Sequence, residues 1–127
     1  MSQAVGCLDI TIVAGDDLST IQYHFITLDA DGKAVACGAN EVSIGILQNT
    51  PESGEAARVR VLGTSKLVMN EPVAPIIMIT STTTGAGEVV DGVDEFAGAI
   101  CLEEATAQND IIEVLLIHTY VPASQAA

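Results

Sequence analysis

The amino-acid sequence predicts an all-β fold, either a small barrel or a sandwich of short strands. Apolar and polar side chains alternate with a period of two, and turn-forming residues recur at intervals of roughly 8 to 12 positions. No segment keeps apolar residues at helical spacing long enough for a stable amphipathic helix. The chain has 127 residues, 49% of them hydrophobic, which is enough for one domain whose core needs neither a metal nor a disulfide.

The predicted strands can be followed from the N-terminus. Residues 8–12 alternate apolar and polar side chains, and residues 57–61 do so again. Residues 76–79 and 111–117 are apolar runs rich in β-branched side chains, which are typical of buried strands. Turn-forming residues separate these segments at positions 29–32, 38–40, 49–54, 84–87 and 91–92.

The first of these turns begins like a calcium-binding loop. Its acidic residues are Asp29 and Asp31, followed by Gly32. However, Lys33 and Asn40 stand at positions where such a loop needs oxygen ligands, including a bidentate glutamate. Because Asp-Gly between two strand-like runs favours a hairpin, we predict a β-turn here.

A weak internal repeat suggests two similar halves. Shifting the chain by 53 positions places Ile26 on Ile79, Gly45 on Gly98, and Val59 on Ile112. We therefore expect a pseudo-duplicated barrel or sandwich whose halves cover each other's apolar faces. The alternative is that unrelated small β proteins reuse glycine turns at similar intervals. The two mid-strand glycines, 45 and 98, are interpreted as bulges or sharp bends.

Composition excludes several classes of partner. The chain carries 17 acidic and 4 basic side chains, a net charge of −13, so neither nucleic acid nor an anionic membrane is an expected partner. No apolar run approaches the roughly 20 residues of a membrane-spanning helix, and the N-terminus lacks the pattern of a secretory signal. Cys7, Cys37 and Cys101 are widely spaced and odd in number, which indicates free thiols.

Candidate catalytic groups are few. His24 and His118 each lie within a strand-like run, where a lone histidine is usually structural. The adjacent acids at 16–17, 94–95 and 103–104 are expected to point to opposite faces of an extended chain. We therefore expect no catalytic, cofactor or metal site. The alternative is a small-molecule-binding β-barrel or small enzyme that uses one of these histidines with nearby acids.

Three of the four basic residues lie close together along the chain. They are Arg58, Arg60 and Lys66, and the two arginines share one face of a predicted strand. This basic stripe has two explanations. It is either a contact surface, because arginine favours interfaces, or a partner for acids of the same subunit.

The order of motifs resembles the small capsid cement, or decoration, proteins of tailed bacteriophages. The resemblance covers residues 15 to 117 and rests on the runs 17–33, 44–51, 54–61, 98–107 and 111–116. It implies a β-rich domain, present in many copies, that binds the outer surface of the expanded head and reinforces contacts between major capsid protein subunits. It also implies a homo-oligomer, with a trimer favoured over a dimer, that is made in the host cytoplasm and ends on the virion.

The ends of the chain lie outside the resemblance and suggest a division into three parts. We expect an extended N-terminal arm at 1–14, a single β domain at 15–120 and a C-terminal tail at 121–127. We hypothesise that the arm adds as a strand to a neighbour or to the capsid; deletion of residues 2–13 should then abolish binding. The other alternative is a virion surface adhesion module. The predicted capsid or subunit contacts are Leu8, Ile10, Ile12, Arg58 and Arg60.

Overall fold

The computed structural model describes residues 7–90 and 95–120. Within these residues, ten short strands form two antiparallel five-stranded sheets. The strands are β1 (Leu8–Val13), β2 (Phe25–Leu28), β3 (Ala34–Ala36), β4 (Gly45–Leu47), β5 (Ala56–Leu62), β6 (Thr64–Val68), β7 (Met78–Ser81), β8 (Gly87–Val89), β9 (Phe96–Cys101) and β10 (Ile111–Tyr120). Their orders are β1-β5-β4-β2-β3 and β6-β10-β9-β7-β8. The all-β prediction is confirmed, and the described residues include no helix capable of crossing a membrane.

The second sheet repeats the first strand for strand. The β1–β5 ladder pairs Ile10 with Val59, and the β6–β10 ladder pairs Ser65 with Val114. Each residue of the second pair therefore lies 55 positions after its equivalent in the first. We call β1–β5 the first half and β6–β10 the second half. The predicted pseudo-duplication is present in the fold.

The sequence shift of 53 positions is right for one hairpin and wrong for the last two strands. It placed Gly45 on Gly98, whereas the ladders make Ala99 the equivalent of Gly45. It correctly places Ile26 of β2 on Ile79 of β7. It placed Val59 on Ile112, whereas the ladders make Val114 the equivalent of Val59. The reason is that the second half has one more residue between its third and fourth strands and one more between its fourth and fifth.

Each sheet curls until its two edge strands touch. In the first half, Ala14 forms an isolated parallel bridge with Ala34, joining the end of β1 to β3. In the second half, Met69 bridges Gly87 in the same way. Each half therefore closes at one end into a barrel-like unit, which places the inward side chains of five strands around a common core.

The first half has a core of its own, and the second half's core borrows from the first. Phe25, Cys37 and Ile46 of the first half pack with the buried side chains of β6, β7, β9 and β10. We call this contact the junction. The core of the first half consists of Ala14, Leu18, Ile26, Ala34, Leu47, Ala57 and Val59.

The mid-strand glycines lie where a side chain has no room. A Cβ on Gly45 would collide with the main-chain carbonyl of Arg60 in the neighbouring strand. A Cβ on Gly98 would lie 2.7 Å from Cε1 of Phe25, the ring that enters the second half. The register of β10 shifts between Leu116 and Thr119, opposite Gly98, so the predicted bulge is present there.

The segment assigned to an N-terminal arm includes a strand of the domain. Residues 8–13 form β1, whose partner is β5 of the same chain. Apolar alternation predicts a strand but not which strand it pairs with, so the sequence did not distinguish an arm from a sheet edge. Residues 1–6, the tail 121–127 and the acidic Asp94 lie outside the described residues.

Candidate interaction surface

The β1–β5 ladder brings the five predicted contact residues together at one edge of the first sheet. Leu8 and Ile10 are exposed on β1, whereas Ile12 packs against the core of the first half. Arg58 lies opposite Thr11 and Arg60 lies opposite Asp9, on the other face of the same ladder. β1 has a partner on one side only, so its other edge presents main-chain donors and acceptors along most of its length.

Asp9 and Arg60 form a bidentate ion pair across this ladder. Nε of Arg60 donates to Oδ1 of Asp9 at 2.7 Å, and Nη2 donates to Oδ2 at 3.2 Å. The third guanidinium nitrogen, Nη1, donates to the carbonyl of Thr64 at 3.2 Å. The hydrogen bond from Arg60 lowers the pKa of Asp9, and the carboxylate in turn raises the pKa of Arg60. Arg60 therefore ties β1, β5 and the start of β6 to one another.

Arg58 is held more loosely than its neighbour. Its Nε lies 3.4 Å from Oδ2 of Asp9, and its side chain is 56% exposed against 15% for Arg60. Both explanations of the basic stripe thus apply in part. Arg60 forms an ion pair with an acid of its own chain, whereas Arg58 is exposed enough to contact a partner. Lys66 lies elsewhere, with Nζ 5.8 Å from the centre of the Tyr23 ring.

The two histidines both interact with main-chain carbonyl groups. Nδ1 of His24 lies 3.1 Å from the oxygen of Gln22. Nε2 of His118 lies 3.0 Å from the oxygen of Val61, and its ring packs 6.3 Å from that of Phe96. Since a carbonyl only accepts, each of these ring nitrogens carries the proton. These contacts use one nitrogen of each ring for a structural role.

Two of the three thiols are buried. Desolvation raises the pKa of both Cys37 and Cys101 to about 11, which disfavours the thiolate that nucleophilic or metal-binding chemistry requires. Cys7 is half-buried beside the turn between β5 and β6, where its thiol donates to the carbonyl of Thr64 at 3.5 Å. All three are free thiols, as the sequence predicts.

The acidic turn at residues 29–32 is a hairpin. Oδ1 of Asp29 accepts hydrogen bonds from the main-chain N–H groups of Asp31 and Lys33, and Gly32 has a φ of 77°. The carboxylate therefore folds its own turn between β2 and β3. Within residues 7–90 and 95–120, no three His, Cys, Asp or Glu side chains form a group able to hold a metal ion.

Sequence reasoning missed further exposed apolar side chains. Leu28 at the end of β2 and Leu102 just after β9 are each about 40% exposed, as is Leu115 of β10. Alternation alone places such residues on a face but does not say whether anything covers that face. The duplication identifies them, because their equivalents in the other half are polar or charged: Ser81 for Leu28, Gln48 for Leu102 and Arg60 for Leu115.

The fold has a counterpart among solved structures. No protein-family model matches the chain, and no curated protein matches it significantly. The structure titled "The crystal structure of head fiber gp8.5 N base in bacteriophage phi29" superimposes with a TM-score of 0.70 at 12% sequence identity. The match covers 90% of this chain and 97% of that chain. The chain therefore shares its fold, over nearly its whole length, with the base of this phage head fiber.

Proposed function

We propose that this protein is a structural component of a tailed-phage virion, a cement or decoration protein on the outer surface of the expanded head. Its partners are the major capsid protein, whose subunit contacts it stabilises, and further copies of itself. The observation that carries the proposal is the fold shared with a head fiber base over 90% of the chain. The resemblance of the sequence motifs to decoration proteins supports the choice of a cement or decoration role.

The charge of the chain suits this role. A net charge of −13 keeps free copies soluble and away from nucleic acid before they bind the shell. A decoration protein also needs no single strong contact, since many weak contacts repeated around a shell add up to a large stabilisation of the assembled state.

We assign the protein no catalytic function. His24 and His118 each use a ring nitrogen for a main-chain carbonyl, and burial raises the pKa of Cys37 and Cys101. These contacts favour structural roles for the groups most suited to acid–base or nucleophilic chemistry. They support a binding protein over the small enzyme considered as an alternative.

The exposed face of β5 is the proposed capsid contact, with Arg58 at its centre. Arg58 is the more exposed of the two arginines of β5 and belongs to a chain that is otherwise strongly acidic, so it suits an acidic patch on the shell. Deleting residues 2–13 is a poor test because it removes β1 from the sheet. A point substitution at the surface leaves the fold intact.

The proposal is tested by co-sedimentation with expanded, undecorated phage heads. The wild-type protein should bind saturably at a fixed ratio per capsid subunit and raise the thermal stability of the heads. Arg58→Glu should weaken binding at least about tenfold, whereas Lys33→Glu, the same charge change in the β2–β3 turn, should not. Absence of saturable binding by the wild-type protein would overturn the proposal. Equal binding by both variants would overturn the assignment of Arg58.

A further inference from the structure

A buried polar pair also joins the two halves beside the junction. Nε2 of Gln48, just after β4, donates a 2.8 Å hydrogen bond to Oγ of Ser65 in β6. Oγ of a second serine of the second half, Ser81, lies 3.4 Å from the carbonyl oxygen of Cys37 and donates its proton to the nearer carbonyl of Thr82 at 2.8 Å. Gln48, Ser65 and Ser81 are all at least nine-tenths buried. We call the side of the first half that carries Phe25, Ile46 and Gln48 its offered face. We call the end of the second half that carries Ser65 and Ser81 its receiving end.

The duplication assigns an equivalent to each of these residues. The ladder pairings make Ile10 the equivalent of Ser65, since Ile10 pairs with Val59 as Ser65 pairs with Val114. Leu102 is the equivalent of Gln48: the N–H of Gln48 donates to the carbonyl of Arg58, and that of Leu102 donates to the carbonyl of Glu113. Leu28 of β2 is the equivalent of Ser81 of β7.

These equivalents are both more exposed and more apolar. Ile10 is 37% exposed where Ser65 is 2%, and Leu28 is 41% exposed where Ser81 is 2%. Leu102 is 40% exposed where Gln48 is 8%. Free surface normally shows the opposite trend, with polar side chains outside and apolar ones inside. An exposed apolar side chain at a position whose equivalent is polar and buried is therefore a candidate contact for another protein.

The two surfaces are at different places on the chain. Ile10 and Leu28 mark the receiving end of the first half, and Leu102 marks the offered face of the second half, together with the half-buried Met78 and Ile100. Met78 and Ile100 are the equivalents of Phe25 and Ile46, which the second half buries completely. Within the described residues the second half covers the offered face of the first half, whereas Met78 packs only against Val90, Ala97 and Ile117 of its own half.

We propose that a second copy of this chain covers it, with Leu102 of one copy packing against Ile10 of the next in a repeat of the junction. The Gln48–Ser65 pair inside the chain then has an apolar counterpart, Leu102–Ile10, between chains. We choose a second copy because the receiving end of the second half covers the offered face of the first half inside each chain. The duplication gives the first half a receiving end of the same kind, which is suited to the offered face of the second half of another copy. Since the two surfaces differ, the contact is head-to-tail and closes into a ring, such as a trimer, or continues as a filament.

The inference deepens the self-association included in the proposed function, and its test needs no phage head. Light scattering should give the wild-type protein a mass several times that of the 13.1 kDa chain. Ile10→Lys and Leu102→Glu should each raise the dissociation constant by about tenfold or more, since a charge opposite an apolar side chain loses its hydration. Circular dichroism and the melting temperature check that each variant is folded.

A double substitution makes the test specific. Ile10→Lys/Leu102→Glu places opposite charges at every contact and keeps the net charge of −13, so association should return towards the wild-type level. Ile10→Glu/Leu102→Glu should stay dissociated. Ile111→Lys is the matched control, because Ile111 is exposed and its equivalent Ala56 is exposed as well.

Three results would overturn the proposal. One is a wild-type protein that is monomeric at every concentration. Another is an oligomer that Ile10→Lys and Leu102→Glu do not weaken more than Ile111→Lys does. The third is equal association of the opposite-charge and like-charge double variants. None of these results decides whether the protein binds the capsid, which is tested separately with phage heads.

Discussion

The side chains of Gln48 and Ser65 join the two halves of the protein through a buried 2.8 Å hydrogen bond. Ser65→Ala leaves one amide proton of Gln48 without this acceptor, although the same nitrogen also donates to the carbonyl of Ile46 at 3.1 Å. We predict a loss of about 1–2 kcal/mol in the free energy of unfolding, measured with urea. Ser53→Ala, at an exposed position, should change it by less than about 0.5 kcal/mol. Equal stability of the two variants would show that the bond does not hold the halves together.

The ion pair between Asp9 and Arg60 predicts a pH-dependent stability. The folded state lowers the pKa of Asp9, so the stabilisation is complete above the unfolded pKa of about 4 and is lost as the pH falls through the folded pKa. Asp9→Asn should therefore cost about 1 kcal/mol at neutral pH, and the difference from wild type should shrink in acid. Urea unfolding across this range measures it, with Asp31→Asn in the exposed turn as the control. A difference that stays constant down to strongly acidic pH would contradict the prediction.

The buried thiols predict the opposite dependence in alkali. The folded state raises the pKa of Cys37 and Cys101 from 9.0 to about 11, so only the unfolded chain ionises them between these values. The free energy of unfolding should therefore fall as the pH rises above about 9. Cys37→Ala/Cys101→Ala should be less stable at neutral pH but should lack this part of the alkaline decline. If the free energy of unfolding of the two proteins falls with pH at the same rate between about pH 8 and about pH 10, the raised pKa of the two thiols is wrong.

The net charge predicts how salt affects self-association. Copies with a charge of −13 each repel one another, and salt screens that repulsion without weakening apolar contacts such as Leu102 against Ile10. Sodium chloride should therefore strengthen association, as measured by sedimentation velocity at increasing concentrations. Dissociation on adding salt would mean that ion pairs, and not apolar side chains, form the contact.

Some features of the fold follow from local chemistry and were predictable. The Asp29–Gly32 hairpin depends on hydrogen bonds within its own turn, and the strand at Leu8–Val13 depends on its own alternation. The pairing of β1 with β5 was not predictable in this way, because a period of two fixes the face of a strand but not its neighbour. The duplication was detectable at Ile26 and Ile79, where the separation is constant, and was misaligned at Val59, where loop lengths differ between the halves.

The candidate surfaces were less predictable than the fold. Arg58 and Arg60 look alike in the sequence, and only the position of Asp9 on the adjacent strand makes one buried and bound and the other exposed. Leu102 looks like a core residue in the sequence. The second half covers its equivalent Gln48, whereas no further half in the described chain covers Leu102. Such differences arise from tertiary contacts between residues distant in the chain.

The proposed function is decoration of the outside of a phage head. Electron cryomicroscopy of expanded heads incubated with saturating protein tests it most directly. We expect additional density at regular positions on the outer surface, in contact with more than one major capsid protein subunit and matching the two-half fold. An outer surface identical to that of untreated heads, even at the highest protein concentration used, would contradict it.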